Sequence, residues 1–227
     1  MSRRKIVVLT GAGVSEESGI STFRDAGGLW EGHDIMEVAS PEGWAKNAAL
    51  VLEFYNKRRA QLFEVEPNQA HIILKALESD FEVEVVTQNV DDLHERAGSE
   101  SVTHLHGELR KVRSTGDQSL VYEHQGDINI GDLCDKGYQL RPHIVWFGES
   151  VPMIETAIDI VSNADILIII GTSMQVYPAA SLIHYIQKGI PVYYIDPNPA
   201  DIHWENLTVI KEKASKGMEL MWDLLMN

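Results

Sequence analysis

Cysteine is almost absent from this sequence, which contains one, Cys134, among 227 residues. A single thiol excludes an internal disulfide and a zinc site built from several cysteines. Long apolar runs are also lacking, since the most apolar run covers residues 166–170 and a membrane span needs about 18 to 20 residues. The first apolar run, residues 6–9, is too short for the core of a signal peptide. We therefore expect a soluble, cytoplasmic protein with no membrane partner.

Basic residues are few: 19 Lys and Arg stand against 34 Asp and Glu, which gives a net charge of -15. Proteins that bind nucleic acid through its phosphates carry a basic face, so this balance argues against a nucleic-acid partner. An acidic surface instead attracts basic, lysine-bearing partners. The remaining composition, 44% apolar and 23% charged, is typical of a soluble globular protein.

Short apolar runs alternate with helical patterns along the chain. The runs are continuous rather than alternating, which is typical of strands buried on both faces of a parallel sheet, and they cover residues 6–9, 83–86, 166–170 and 192–195. Helical periodicity lies between and after them, at residues 68–78, 152–161, 179–187 and 214–225. This order predicts an α/β fold, a Rossmann-like doubly wound parallel sheet.

Two segments interrupt this alternation and predict a smaller second lobe. Residues 41–64 have an apolar helical side, whereas residues 110–142 are polar and weakly periodic. We expect a Rossmann-like lobe of about 1–30, 65–109 and 143–227 and a small lobe of about 31–64 and 110–142. A ligand cleft is expected between the two lobes.

A glycine-containing segment, Gly11-Ala12-Gly13, follows the first predicted strand. Such glycines let the backbone approach a diphosphate at a helix N-terminus. The third glycine of the usual dinucleotide fingerprint is replaced by Glu16, and no ribose-binding acid follows at the usual distance. The segment alone therefore leaves two interpretations open, a phosphate loop or a strand-to-helix turn that needs glycine only for its dihedral angles.

Further segments carry a resemblance to a known family. They are GISTFR at 19–24, GGLW at 27–30, TQNVDDLH at 87–94, HLHGEL at 104–109, RPHIVWFGE at 141–149 and GTS at 171–173. Together with the glycine segment they closely resemble the sirtuins, NAD-dependent protein-lysine deacylases, and specifically the short bacterial CobB-like type. The resemblance runs from Thr10 to Ala214 and implies a single catalytic domain over residues 1–227 that consumes NAD as a co-substrate.

The resemblance implies a set of NAD-contacting residues. The diphosphate side would comprise Gly11, Ala12, Gly13, Ser15, Ser18, Gly19 and Ile20. A cover over the nicotinamide half would include Phe23, Arg24 and Trp30, with Phe23 shielding the reactive sugar unless it fills the core. The nicotinamide and its ribose would contact Gln88, Asn89, Val90 and Asp91, although helix capping would explain one of these. The adenosine half would contact Gly171, Thr172, Ser173, Asp196, Pro197, Asn198 and Ala214.

His106 is the predicted catalytic residue, since an imidazole accepts and returns a proton near neutral pH. With His104 it forms an H-x-H pair, which on a strand faces one side and could bind a metal, but no further ligand lies nearby at metal spacing. By resemblance His106 is the base and His104 is structural. The implied reaction begins with attack of the acyl-lysine oxygen on the nicotinamide ribose and yields nicotinamide, free lysine and O-acyl-ADP-ribose.

The resemblance also implies how the acylated lysine is bound. Its backbone would be held as an added strand by Val145, Phe147, Gly148, Glu149 and Val176. Ala39, Tyr55 and Arg58 match the pocket of family members that remove succinyl and malonyl groups, because arginine and a phenol suit a carboxylate. The alternative is that Arg58 lies on the surface and Tyr55 fills the core. Acetyl-lysine should fit as well, so we expect dual activity.

One departure from the family concerns zinc. Most sirtuins bind a structural zinc through two C-x-x-C pairs, and the matching positions here are Ser114, Asp117, Gly131 and Cys134. One thiolate cannot build a tetrahedral site, so no zinc is predicted. Two other functions stay open: a non-catalytic NAD or ADP-ribose sensor, and a mono-ADP-ribosyltransferase. The retained His106 and acyl pocket argue against both.

Overall fold

The computed structural model describes residues 3–21, 29–30 and 32–226, with only the backbone described at 29–30. The strands are β1 (Lys5–Thr10), β2 (Leu29–Trp30), β3 (His33–Asp34), β4 (Glu82–Thr87), β5 (Val102–His104), β6 (Gly107–Ser114), β7 (Val121–Glu123), β8 (Leu140–Ile144), β9 (Ile166–Ile170), β10 (Val192–Ile195) and β11 (Leu207–Ile210). The α-helices are α1 (Ile35–Val38), α2 (Pro41–Gln61), α3 (Gln69–Leu77), α4 (Leu93–Arg96), α5 (Ile154–Ser162) and α6 (Ala214–Met226).

A six-stranded parallel sheet forms the centre of the molecule, in the order β11-β10-β9-β1-β4-β5. Alternate residues of its strands point to opposite faces. Ile6 and Val8 pack on one side with α3 and α6, and Val7 and Leu9 pack on the other with α5. Both faces are therefore buried, which explains the continuous apolar runs. The predicted α/β Rossmann-like fold is confirmed.

Two strands of this sheet, β5 and β11, were not predicted from the sequence. Both lie at the sheet edges and are half-buried or exposed along their length, so neither has a continuous apolar run. The helical pattern at 179–187 forms a 3-10 helix, Ala179–Tyr185, instead of an α-helix. Helix α2 is interrupted at Asn47, whose side chain accepts a hydrogen bond from the backbone N–H of Leu50 (3.1 Å) and so starts the second segment.

A three-stranded antiparallel sheet, β7-β6-β8, forms from the region predicted to be weakly periodic. Leu52 of α2 packs with Val112 of β6 and with Ile128 in a small core. Arg59, which is 1% exposed, also joins α2 to this sheet by donating from Nε to the carbonyl of Leu109 (2.7 Å). The division into two lobes at the stated boundaries stays a prediction.

Four side chains, here called the clasp, connect the turn after β6 to the segment before β8: Ser114, Asp117, Cys134 and Lys136. The Cys134 thiol donates to the Ser114 hydroxyl oxygen (3.2 Å), and the Lys136 ammonium pairs with the Asp117 carboxylate (2.7 Å). Ser114 also accepts from the backbone N–H groups of Gly116 and Asp117 (3.2 and 3.1 Å). Ser114 and Cys134 thus bind each other, and Asp117 binds a lysine. These are three of the four positions that match the family's zinc ligands.

No helix within the described part of the chain is long and apolar enough to cross a membrane.

Candidate active site

The predicted site residues follow strands of the central sheet. Because parallel strands end at one edge, the loops after β1, β4, β9 and β10 lie together at the carboxyl side of the sheet. The glycine segment follows β1, the 88–91 loop follows β4, residues 171–173 follow β9 and residues 196–198 follow β10. The structure therefore brings the predicted nicotinamide-side and adenosine-side residues to one edge.

The glycine segment contacts the loop after β9 through its backbone. Gly11 donates to the carbonyl of Ile170 (3.0 Å) and Gly13 to that of Gly171 (2.8 Å). A Cβ atom at Gly13 would lie 2.7 Å from the Gly171 Cα, and Gly171 has a φ of +62°. Close approach, rather than unusual dihedral angles at Gly11 or Gly13, is thus the reason for these glycines.

The acidic residues that replace the fingerprint glycine contact the last helix. Glu16 pairs with Lys213 (3.1 Å), and Glu17 accepts from the backbone N–H of Ser215 (2.8 Å) in the first turn of α6. This places Ala214 beside the short 3-10 helices of the glycine segment, which contain Ala12 and Ser18, ahead of Gly19 and Ile20. This link between the two ends of the chain was not predicted from the sequence.

A buried polar network surrounds Ser15. Its hydroxyl donates to the Asp91 carboxylate (3.0 Å) and accepts from the Asn89 side-chain amide (3.1 Å). Asp91 also accepts from the backbone N–H of Leu93 (3.2 Å), so it caps the turn before α4 as well. Burial raises the pKa of Asp91, although the hydrogen bonds from Leu93 and Ser15 oppose that shift. Helix capping therefore explains the contact of Asp91 with Leu93. It does not explain the contact of Asp91 with Ser15 or that of the Asn89 side chain with Ser15.

The adenosine-side residues lie next to this network. Gln88 donates from its side-chain amide to the Thr172 hydroxyl (3.0 Å), which joins the loops after β4 and β9. Tyr194 donates to the Thr172 carbonyl (2.7 Å). Asp196 is buried and accepts from the backbone N–H of Asn198 (2.8 Å), whereas Pro197 and Asn198 themselves are exposed. Ser173 is half-buried in the same loop.

His106 lies just before β6 and contacts the 88–91 loop. Its Nδ1 is 3.0 Å from the carbonyl oxygen of Gln88, so Nδ1 carries the proton and the lone pair of a neutral ring lies on Nε2. Burial lowers the pKa of His106, against the hydrogen bond to Gln88, which raises it. A neutral imidazole with a lone pair on Nε2 is the form that accepts a proton.

The predicted acyl pocket is built from α2, Ala39 and the segment after β8. Tyr55 is 0% exposed, and its hydroxyl oxygen accepts from the indole N–H of Trp146 (3.1 Å). Arg58 is 7% exposed, so it is not a surface arginine, and Ala39 is buried in the same cluster as Tyr55. Burial raises the pKa of Tyr55, which keeps the phenol protonated.

The segment predicted to bind substrate backbone is fixed at both ends. Val145 donates to the carbonyl of His106 (2.9 Å), and Phe147 donates to that of Ala39 (3.0 Å). The Phe147 and Val176 side chains are exposed, and Gly148 has a φ of +88°. The Glu149 carboxylate is engaged within the protein, since it binds Arg141 (2.7 Å), Arg113 (3.1 Å) and the backbone N–H of Trp146 (2.8 Å).

Several predicted positions fall partly or wholly outside the description. Phe23 and Arg24 lie outside the described residues, and only the backbone of Trp30 is described, in β2. Sequence reasoning also missed the indole contact of Trp146 with Tyr55. No group of three or more His, Cys, Asp or Glu in the described ranges is arranged to hold a metal ion. His104 instead contacts the backbone of the 88–91 loop and Glu95.

Comparison with known proteins gives consistent results. The sequence model of the Sir2 family matches residues 11–178. A curated relative from Helicobacter pylori strain 26695, named NAD-dependent protein deacylase, is 58% identical over 217 residues, which are 95% of this chain and 95% of the relative.

Two solved structures are similar over nearly the whole chain. The crystal structure of a Sir2 homolog–NAD complex has a TM-score of 0.88 and 40% identity, and the match covers 99% of this chain and 90% of that one. A structure of Sir2 bound to acetylated peptide has a TM-score of 0.81 and 26% identity, covering 99% and 95% of the two chains.

Proposed function

The chain belongs to the Sir2 family, and from this premise we propose that it is an NAD-dependent deacylase acting on acylated lysines of proteins or peptides. The observation that carries the proposal is the hydrogen bond from His106 Nδ1 to the Gln88 carbonyl (3.0 Å). It holds a neutral imidazole at the sheet edge where the predicted NAD residues meet. The curated relative's name and the NAD complex of the similar structure support the same activity.

The residues at the sheet edge fit NAD. The glycine segment packs closely against the loop after β9, and Gln88, Asn89, Asp91, Thr172 and Asp196 supply polar side chains at the same edge. When bound, NAD supplies a ribose carbon from which nicotinamide departs. The chain's part is to hold the diphosphate at the glycine segment, orient the nicotinamide side with the 88–91 loop and accept a proton at His106 Nε2.

The acyl preference is proposed from the buried pair on α2. Arg58 is a buried arginine with a planar guanidinium, and burial keeps the neighbouring Tyr55 phenol protonated. A dicarboxylic acyl group such as succinyl or malonyl carries a carboxylate that suits these donors, whereas an acetyl group has no carboxylate. We propose removal of succinyl and malonyl groups together with acetyl groups.

The activity is tested with matched succinyl-lysine and acetyl-lysine peptides, followed by mass spectrometry in the presence and absence of NAD. The expected result is NAD-dependent loss of both groups by the unchanged protein and loss of activity in His106→Ala. His124→Asn is a suitable control. His124 also contacts a backbone carbonyl, that of Asp127 (3.1 Å), but it directly follows β7 of the three-stranded sheet. NAD binding without any deacylation would contradict the proposal and favour the sensor.

The proposal includes a fold that needs no zinc. The donor set at the matching positions does not fit the ion: the Ser114 hydroxyl binds the Cys134 thiol, the Asp117 carboxylate binds Lys136, and Gly131 has no side chain. Zinc prefers four ligands from thiolate, imidazole and carboxylate groups. Metal analysis of purified protein should find far less than one zinc per chain, and one equivalent would contradict this part of the proposal.

The acidic net charge of -15 supports a protein substrate rather than a nucleic-acid partner. We propose a cytoplasmic location on the ground that one cysteine gives no internal disulfide to stabilise the chain outside the cell.

A further inference from the structure

Three successive carbonyl groups of the 88–91 loop accept hydrogen bonds from one stretch of chain. His106 contacts the carbonyl of Gln88 (3.0 Å), His104 that of Asn89 (2.9 Å), and the backbone N–H of Leu109 that of Val90 (2.8 Å). The loop that carries Asp91 is therefore fixed by residues 104–109 at each of its first three residues. Two of the three donors are imidazoles, so their protonation matters to the loop.

The two histidines differ in their second nitrogen. His104 Nε2 is 2.7 Å from the Glu95 carboxylate, on the helix that directly follows the loop, and the His104 side chain is 7% exposed. A carbonyl only accepts hydrogen bonds, so His104 Nδ1 must carry a proton. An ionised carboxylate also only accepts, so Nε2 must carry one too. His104 therefore contacts both partners as an imidazolium, whereas the contact of His106 with Gln88 needs only the proton on Nδ1.

We infer that His104 is a positioning residue for the NAD reaction: held as an imidazolium by Glu95, it joins the Asn89 carbonyl to helix α4 and so fixes the nicotinamide-side loop. The inference rests on the proposed function. His104 contacts residues on both sides of Asp91 in the sequence, since Asn89 precedes Asp91 and Glu95 follows it. A neutral His104 has one proton for two acceptors and must release one of them.

The charged groups around His104 agree with a retained proton. Glu95 on α4 and Glu108 on β6 face it, and so does Asp91 of the loop, while burial lowers the pKa of His94 on α4 well below its ordinary value. Lys111 is paired with Glu108 (2.7 Å). Burial lowers the pKa of His104, but the hydrogen bond and charge of Glu95 outweigh it, so the pKa is raised above its ordinary value. The same contact holds the pKa of Glu95 below its ordinary value, against burial.

The first experiment is an NMR titration of the imidazole nitrogens in protein labelled with 15N-histidine, with His104→Asn used to assign the signals. The expected result is that His104 loses its proton at a pH above 6.5 and that Glu95→Gln moves this transition to lower pH. A His104 ring that is neutral throughout, or that titrates unchanged in Glu95→Gln, would overturn the inference. This readout needs no activity.

The second experiment separates positioning from general stability. His104→Leu removes both contacts, and we expect the KM and calorimetric Kd for NAD to rise by about 10-fold or more, the range for a lost charged hydrogen bond, while the KM for acyl peptide changes less than twofold. His104→Asn retains an amide that can reach the Asn89 carbonyl and should lie between Leu and the unchanged protein. His124→Asn is the control, with no expected effect.

The pH profile gives a further criterion. The KM for NAD of the unchanged protein should rise as the pH passes upward through the His104 transition, and His104→Asn should lack this dependence. If both His104 variants match His124→Asn in KM for NAD, the inference fails although the deacylase proposal stands. If the unchanged protein does not deacylate at all, the deacylase proposal fails, and the titration and NAD calorimetry still decide the role of His104. A lowered melting temperature with an unchanged NAD affinity would mean a structural role only and would overturn the inference.

Discussion

The 88–91 loop and the clasp both hold a turn with polar side chains, but they differ in burial. Asn89 and Asp91 are 7% and 5% exposed, whereas the Lys136 side chain of the clasp is 60% exposed. Buried hydrogen bonds are costly to break because the remaining partner stays unsatisfied, and exposed ion pairs contribute little. The difference indicates that the sheet edge uses polar groups to orient chemistry, while the clasp depends on its one buried hydroxyl, that of Ser114.

The largest effect is expected from Gly171→Ala. A Cβ atom there would overlap the backbone of Gly13 and Val14, and the φ of +62° disfavours a side chain. We expect loss of measurable NAD binding by calorimetry, together with a lower melting temperature. Gly126→Ala is the matched control, because a Cβ atom at Gly126 meets nothing within 4 Å. Normal NAD affinity in Gly171→Ala would show that the contact between the two loops is not required.

The next effect concerns the buried pair of the acyl pocket. Arg58→Lys and Tyr55→Phe should each lower kcat/KM for succinyl-lysine peptide by about 10- to 100-fold, the cost of a lost hydrogen bond to a charged group, with a much smaller change for acetyl-lysine peptide. Lys57→Ala is the control, since the Lys57 side chain is 72% exposed on the same helix. Equal losses for both peptides would remove the assigned role of the pair.

A buried histidine pair, His71 of α3 and His94 of α4, should make stability depend on pH. Burial lowers the pKa of His71 to about 4 and lowers that of neighbouring His94 as well. The unfolded chain takes up a proton near pH 6.5, but the folded protein does not until about pH 4, so stability falls as the pH falls between these values. His71 alone would contribute roughly 3 kcal/mol to this loss.

The measurement is urea unfolding of the unchanged protein and of His71→Gln across pH 5 to 7.5. Glutamine suits the third helical position, where His71 accepts from the backbone N–H of Asn68 (3.3 Å). The variant should lose part of the pH dependence, and the rest should come from His94 and the carboxylates. Identical slopes for the two proteins would contradict the assignment.

The smallest effects of substitution are expected in the clasp. Ser114→Ala leaves two backbone N–H groups and the Cys134 thiol without their acceptor, so we expect a loss of about 1 to 3 kcal/mol in the free energy of unfolding. Asp117→Asn breaks the exposed ion pair and should shift the melting temperature by less than about 2 °C. The reverse order would mean that the ion pair, not the hydroxyl, holds the turn.

Much of this molecule could be predicted from its sequence because the relevant signals are local. The strand limits at Ile166–Ile170 and Val192–Ile195 agree with the apolar runs, since both strands are central and buried on both faces. Edge strands β5 and β11 have no such run. The residues predicted around NAD and described by the structure follow strands of one parallel sheet, and topology then brings them to a single edge.

Contacts between distant segments could not be read from spacing. The donation from Trp146 to Tyr55 joins residues of the segment after β8 and of α2, and nothing local in either segment indicates it. The carboxylate of Glu149 was predicted at the substrate strand, but only the folded chain reveals its bonds to Arg113 and Arg141. Both histidines of the H-x-H pair contact the 88–91 loop, but the spacing gave no sign of the contact between His104 and Glu95.

The central claim is that His106 acts as the base in a deacylation that consumes NAD. The most direct measurement quantifies nicotinamide, deacylated peptide and O-acyl-ADP-ribose in one reaction, for the unchanged protein and for His106→Ala. We predict equal amounts of the three products from the unchanged protein and none of the last two from His106→Ala. Deacylated peptide formed without nicotinamide, or undiminished product from His106→Ala, would contradict the account.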